Sequence, residues 1–199
     1  MGQDLSARIN RRPSNTFEYT RMKLNLGGQQ TIGRFPAGWA CVDVLPGANY
    51  QCDISKEPLP FPNESVEAIY FSHCLEHIWP YRHSFVLSQF MRVLIPGGKI
   101  RVVVPDMQIQ MERYAKEKGS TPGLLANCMS WWFDPTVDDQ GEVHLSHVCG
   151  FDWWALSELF GRMAFSDIRR MWYGMHNPVF QDCDNPGHQS TSLYLEAVK

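Results

Sequence analysis

The stretch Lys23–Asp43, KLNLGGQQTIGRFPAGWACVD, decides the fold class through its punctuation. A short apolar run, Leu24–Leu26, breaks at Gly27-Gly28, and a second run, Ala40–Val44, carries Asp43 near its end. A strand that breaks on glycine lets backbone approach a ligand closely, because no side chain stands in the way. An aspartate about 20 residues on, at the tip of the next strand, is where nucleoside-binding α/β folds hold ribose hydroxyls. The two features together point to a nucleoside ligand.

Working outward, Tyr50–Ile54, Ala68–Phe71 and Ile100–Val104 are further brief apolar runs rich in β-branched or aromatic residues. Such runs suit strands buried on both faces of a mostly parallel sheet. A helix is predicted over Tyr81–Leu94, where Val86, Phe90, Val93 and Leu94 share one face of a 3.6-residue period, with Pro96-Gly97-Gly98 ending it. A second helix is predicted from Met107 to Lys118. A third is capped by Asp152 and carries Trp153, Leu156, Phe160 and Met163 on one face. Strands at Asp167–Tyr173 and Thr191–Val198 close the chain, so the order reads as an α/β fold with a parallel sheet.

The 199 residues fit a single domain over 23–199, preceded by a polar arm over 1–22. Residues 119–150 are irregular, and a loop of that length in a compact domain is often a lid or substrate loop. A net charge of -3 argues against a nucleic-acid surface, and no apolar stretch reaches the length of a membrane span. The six cysteines form no C-x-x-C pair and sit largely in apolar runs, which reads as reduced thiols in a cytoplasmic protein. MGQDLS fits a myristoylation template and Asn63-Glu64-Ser65 a glycosylation sequon, but both templates are short and degenerate.

The segments KLNLGG, GWACVDVLPG, CDISKEPLPFPNESVEAIYFSHCLEHI and FMRVLIPGGKIRVVVPD run in order from Lys23 to Asp106. Together with the tail HVCGFDWWALSELFGRMAFSDIRR, they resemble the class I (Rossmann-like) S-adenosylmethionine-dependent methyltransferases, especially a small bacterial type-11-like group. The resemblance implies a three-layer α/β fold whose seven-stranded, mostly parallel sheet has one antiparallel strand. It implies S-adenosylmethionine as cofactor, with Gly27 and Gly28 beneath the methionine portion and Asp43 on the ribose hydroxyls. Asp53 would take the adenine amino group and Ile54 would pack on the ring. Ser72 and His73 would flank the sulfonium, and Gln29 and Val44 complete the set. The turn departs from the family pattern, with Asn25 in place of the usual acidic residue and Gln29 in place of a glycine.

His73, His147 and Asp106 are the candidate catalytic groups, since a hydroxyl acceptor needs a base near neutral pH. A small-molecule or glycan acceptor is expected, with no nucleic acid, no membrane span, and a monomer or homodimer. Trp131, Trp132, Phe133, Trp153 and Trp154 are candidates for apolar walls of an acceptor pocket, with core packing as the alternative. No metal is assigned. Two other readings stay open. One is a non-catalytic protein that keeps the fold. The other is a zinc hydrolase, because His73-Cys74-Leu75-Glu76-His77 matches H-x-x-E-H, with His83, His144 or His147 as a third ligand.

Overall fold

The computed structural model describes residues 22–28, 35–117, 136–137, 143–144 and 147–199. Strands β1 (Met22–Leu26), β2 (Trp39–Asp43), β3 (Tyr50–Gln51), β4 (Val66–Ser72) and β5 (Leu94–Pro105) lie in one sheet. A two-stranded antiparallel ribbon, β6 (Thr136–Val137) and β7 (Val143–His144), stands apart from it. β8 (Ser166–Met171) and β9 (Ser192–Val198) complete the seven-stranded sheet, whose order is β3-β2-β1-β4-β5-β9-β8. β1 to β5 pair in parallel, whereas β9 runs antiparallel to both β5 and β8. The expected mostly parallel sheet with one antiparallel strand is what forms.

Strand order reverses at β1, which lies between β2 and β4. Open α/β sheets bind ligands outside the carboxyl ends of the strands at such a reversal. The glycine turn, Asp43 and Ser72 all follow or end these three strands, so the fold delivers them to one edge.

One face of the sheet packs Leu24, Leu26, Ile69, Phe71, Val102 and Leu195 against two helices. Helix α1 (Pro80–Val93) supplies Val86, Leu87, Phe90 and Val93, with proline at its first turn, where a missing N–H costs nothing. Helix α2 (Met107–Glu117) buries none of its residues. Helix α3 (Trp153–Arg162) joins α1 through Leu156 and Phe160, and Asp152 accepts from the Ala155 N–H at 2.8 Å as its cap. Trp153 packs against this core, but Trp154 is exposed. The opposite face carries Ala68, Tyr70, Val103 and Tyr194 and is covered by Phe180 and Cys183 of the irregular segment 172–191.

Two local expectations are corrected. β3 stops at Gln51 rather than Ile54, because the Asp53 backbone and side-chain oxygens capture the amides of Ser55, Lys56 and Glu57 in a turn. Pro96-Gly97-Gly98 does not separate helix from strand but interrupts β5 itself. Val66 pairs with Leu94 and Ala68 with Lys99, so the intervening residues bulge out of the ladder. Gly97 takes the left-handed φ of 76° that this bulge requires.

Most of the anticipated lid over 119–150, including Trp131, Trp132 and Phe133, lies outside the described residues, as do residues 1–21. No helix among the described residues is long and apolar enough to cross a membrane.

Candidate active site

The glycine turn is built tightly by the protein's own atoms. Gly27 has φ 69°, and a Cβ there would stand 1.9 Å from Cys74 Sγ. A Cβ on Gly28 would meet the Asn25 side chain at 1.9 Å. The Gly27 N–H donates to Val42 O at 2.8 Å. The glycines are therefore dictated first by close approach of Cys74 and Asn25, and the Gly27 amide is engaged within the protein. Gln29 lies outside the described residues.

Asp43 ends β2 almost fully buried, and its Oδ1 accepts from the Leu45 N–H at 3.0 Å. Val44 and Leu45 beside it are exposed, at 51% and 41%. A buried carboxylate flanked by exposed aliphatic groups offers hydrogen-bond acceptors next to an apolar shelf, the combination a nucleoside needs. Asp53 is more fully occupied. Its Oδ1 accepts from Ser55 N and Oγ at 3.0 and 2.6 Å, and its Oδ2 pairs with Lys56 Nζ at 2.7 Å. Burial acts to raise its pKa, but these partners prevail and hold it below the ordinary range. Lys56 is largely exposed and can swing away, whereas the serine contacts are local and persistent. Ile54 is half-buried against the core next to it.

The segment after β4 makes a compact polar cluster. His73 sits at φ 51°, a conformation uncommon outside glycine, and its N–H donates to Val103 O at 2.8 Å. Its Nε2 lies 2.9 Å from Ser192 Oγ and its Nδ1 3.3 Å from Glu76 Oε1. The His188 ring lies over it at a centroid distance of 3.8 Å. Leu75–His77 is a single 3-10 turn, so His73 and His77 do not share a helical face, and the H-x-x-E-H zinc-protease arrangement is not formed. His83, once a possible third ligand, is committed to Ile78 O at 2.8 Å. His147 instead reaches His77, their ring centroids 4.7 Å apart.

Residues 42–102 match a family model described as a methyltransferase domain. The sheet order and the single antiparallel strand agree with it. Over those residues the chain is similar to methyltransferase domains, and its fold is the Rossmann-like one of the class I methyltransferases. The fold is shared with a SAM-dependent methyltransferase from Archaeoglobus fulgidus at TM-score 0.57 and 12% identity, over 92% of this chain and 88% of that one. It is shared with one from Methanosarcina mazei at TM-score 0.54 and 16% identity, over 89% and 92%. It is also shared with DhpI, solved as a complex with SAH, at TM-score 0.55 and 12% identity, over 92% and 78%. No curated protein sequence matches the chain.

The sheet gathers Gly27, Gly28, Asp43, Val44, Asp53, Ile54, Ser72 and His73 at its carboxyl edge, and His147 joins the cluster around Glu76. Asp106 stands differently. It is 2% exposed, its Oδ1 accepts from the Gln108 N–H at 2.9 Å as the opening cap of α2, and its Oδ2 faces Arg170 at 3.3 Å. Arg170 is thus its counter-ion, while Arg169 pairs with Asp167. Reading the sequence missed Ser192 and His188, because they meet His73 only across the sheet, with 119 residues between His73 and Ser192. The thiols are structural. Burial pushes Cys52 up to about 11 and both Cys149 and Cys183 to about 12, and all described cysteines are free.

Burial, with the neighbouring His73, pushes the His188 pKa down to about 4. An unfolded histidine titrates near 6.5, so between about 6.5 and 4 the unfolded chain binds a proton that the folded chain refuses. Stability of the protein should therefore fall as pH drops through that window. Urea midpoints at pH 7 and pH 5 should differ less in His188→Gln than in the parent. An equal drop in both proteins would contradict this assignment.

Proposed function

We propose that this chain moves a methyl group from S-adenosylmethionine to a small-molecule or glycan acceptor at the carboxyl edge of β1, β2 and β4. The observation that carries the cofactor half is Asp43, a buried carboxylate at a strand end, with Val44 exposed beside it. Asp43 would accept from the ribose hydroxyls, and Val44 and Ile54 would cover the adenine. Asp53 would accept from the amino group once Lys56 yields its place. Backbone at Gly27-Gly28 and Ser72-His73 would border the methionine portion largely through shape, since the Gly27 amide is already bonded to Val42 O.

The cofactor brings a sulfonium-bound methyl group already activated for displacement. The protein's work is to align the acceptor with that carbon and to exclude water. For a hydroxyl or protonated amine acceptor, His73 is our first choice of base. The Glu76 carboxylate faces Nδ1 and favours a proton there, which leaves Nε2 as the basic nitrogen next to Ser192 Oγ. His147 is the second choice. Asp106 is the least available, since its oxygens already cap α2 and face Arg170.

Asp43→Ala should weaken S-adenosylmethionine binding by about 1–3 kcal/mol, roughly 5- to 150-fold, through loss of charged hydrogen bonds. Isothermal titration calorimetry would read this, and unchanged affinity would remove Asp43 from the site. The engaged Gly27 amide favours one competing reading, a fold retained without catalysis. Thermal-shift titration with S-adenosylmethionine and its demethylated product separates the two, because specific binding raises the melting temperature. A shift with neither ligand would sustain the non-catalytic reading.

A further inference from the structure

Glu76 is the least explained charged group in the chain. It is fully buried, and neither carboxylate oxygen has a hydrogen-bond partner among the described residues, although His73 Nδ1 stands 3.3 Å from Oε1. Burying an ionised carboxylate without hydrogen bonds costs several kcal/mol, so such groups are normally paired or coordinated to a metal. His77 and His147 each present one ring nitrogen to this carboxylate, and the three candidate donor atoms lie within 4.8 Å of one another.

The approach of His147 is built into the fold. The Val148 and Cys149 amides donate to the Glu76 carbonyl at 2.8 and 3.3 Å, which fastens the chain after His147 onto the 3-10 turn. The Cys149 thiol lies within 3.8 Å of the carbonyls of Leu75, Glu76 and Ile78 on the same turn. Two segments distant in sequence are thereby locked so that their imidazoles face one buried carboxylate.

We propose that Glu76, His77 and His147 form a binding site for a divalent first-row metal ion, with zinc the best chemical match. Two imidazoles and a carboxylate are a borderline-soft donor set that suits zinc over calcium or magnesium, which prefer all-oxygen shells. A tetrahedral site with bonds of about 2.0–2.1 Å brings donors to roughly 3.3 Å of one another, so side-chain rotation must draw this triad inward. Three protein ligands leave a fourth position open, the pattern of catalytic rather than structural zinc. If the methyl-transfer reading above holds, that position would take an acceptor oxygen and lower its pKa. The metal site itself stands without that reading. It also differs from the H-x-x-E-H protease pattern, because His73 faces Ser192 and is not a ligand.

The test uses the full chain, stripped with chelator, dialysed and titrated with zinc chloride, with metal content read by mass spectrometry. The expected result is one zinc per chain, with affinity falling at least tenfold in His77→Asn and in His147→Gln. Cobalt loading should give visible d–d bands that are lost in His147→Gln. A second readout covers Glu76→Gln. Without metal this variant should melt higher than the parent, because it removes a fully buried carboxylate that no hydrogen bond among the described residues satisfies, and added zinc should stabilise it less. Absence of stoichiometric metal would overturn the proposal, as would zinc retained undiminished in both histidine variants. Thermal-shift titration of the same stripped protein with S-adenosylmethionine reports on the cofactor site separately, so failure of one reading is not mistaken for failure of the other.

Discussion

Arg101→Ala is expected to destabilise the fold by about 3–5 kcal/mol, the usual cost of removing one partner from a buried ion pair. The guanidinium is completely buried in the middle of β5. It forms a two-pronged bond to Asp184, Nε to Oδ1 at 2.8 Å and an Nη to Oδ2 at 2.7 Å, and a third bond to Glu196 at 2.7 Å. The carbonyls of Trp172 and Met175 accept its remaining protons at 3.1 Å, and the Tyr194 ring lies 5.0 Å away. Burial alone would lower its pKa, but the two carboxylates reverse this and hold it above the ordinary arginine value.

Removing the cation strands Asp184 and Glu196, whose side chains are only 5% and 13% exposed. It also releases the 172–191 segment that covers that face of the sheet. Lysine cannot reproduce the planar fork, so Arg101→Lys should recover only part of the loss. The check is urea unfolding by circular dichroism, with the midpoint moving and the slope constant. Arg101→Met combined with Asp184→Leu should be more stable than Arg101→Met alone, because an apolar pair replaces the stranded charge. A loss below about 1 kcal/mol in Arg101→Ala, the scale of an exposed pair, would show that the network is not the buried keystone described here.

Gly27→Ala should be comparably damaging, with two separable causes. The left-handed backbone at φ 69° costs a non-glycine residue about 1–2 kcal/mol. The added methyl would also overlap Cys74 Sγ, and overpacking of this kind adds about 1–3 kcal/mol. A double-mutant cycle with Cys74→Ala separates them. Trimming the thiol should recover the steric part and leave the backbone part, whereas full recovery or none would refute the division. S-adenosylmethionine affinity should fall with Gly27→Ala as well, because relief of the clash moves the ends of β1 and β4 apart at the proposed site.

Local chemistry made much of this fold legible. Runs rich in β-branched residues became strands where expected, and the period of Val86, Phe90 and Val93 became the buried face of α1. Asp152 capped α3, as its position before an apolar helical pattern implied. Misreadings came where a distant partner competed with a local signal. Pro96-Gly97-Gly98 looks like a terminator, yet β4 pairs on both sides of it and carries it as a bulge. Arg170 looks solvated because its run ends the strand, yet Asp106 lies within reach across the fold. Arg101 carries no sequence signal beyond a charge inside an apolar run, since Asp184 and Glu196 come more than eighty residues later.

At the candidate site, the sequence by itself determined which residues stand at or just beyond the strand ends: Gly27, Asp43, Asp53, Ser72-His73 and Asp106. Strand periodicity and turn residues are short-range properties, and they fix those positions without knowledge of the rest. Only the tertiary structure decided what each residue does there. It filled the space above Gly27 with Cys74 and engaged Asp106 as a cap. It set His73 between Glu76 and Ser192, and it turned H-x-x-E-H from a helical pair into a turn facing His147. A side chain's chemistry depends on burial and on partners, and those are set by contacts between segments far apart in the chain.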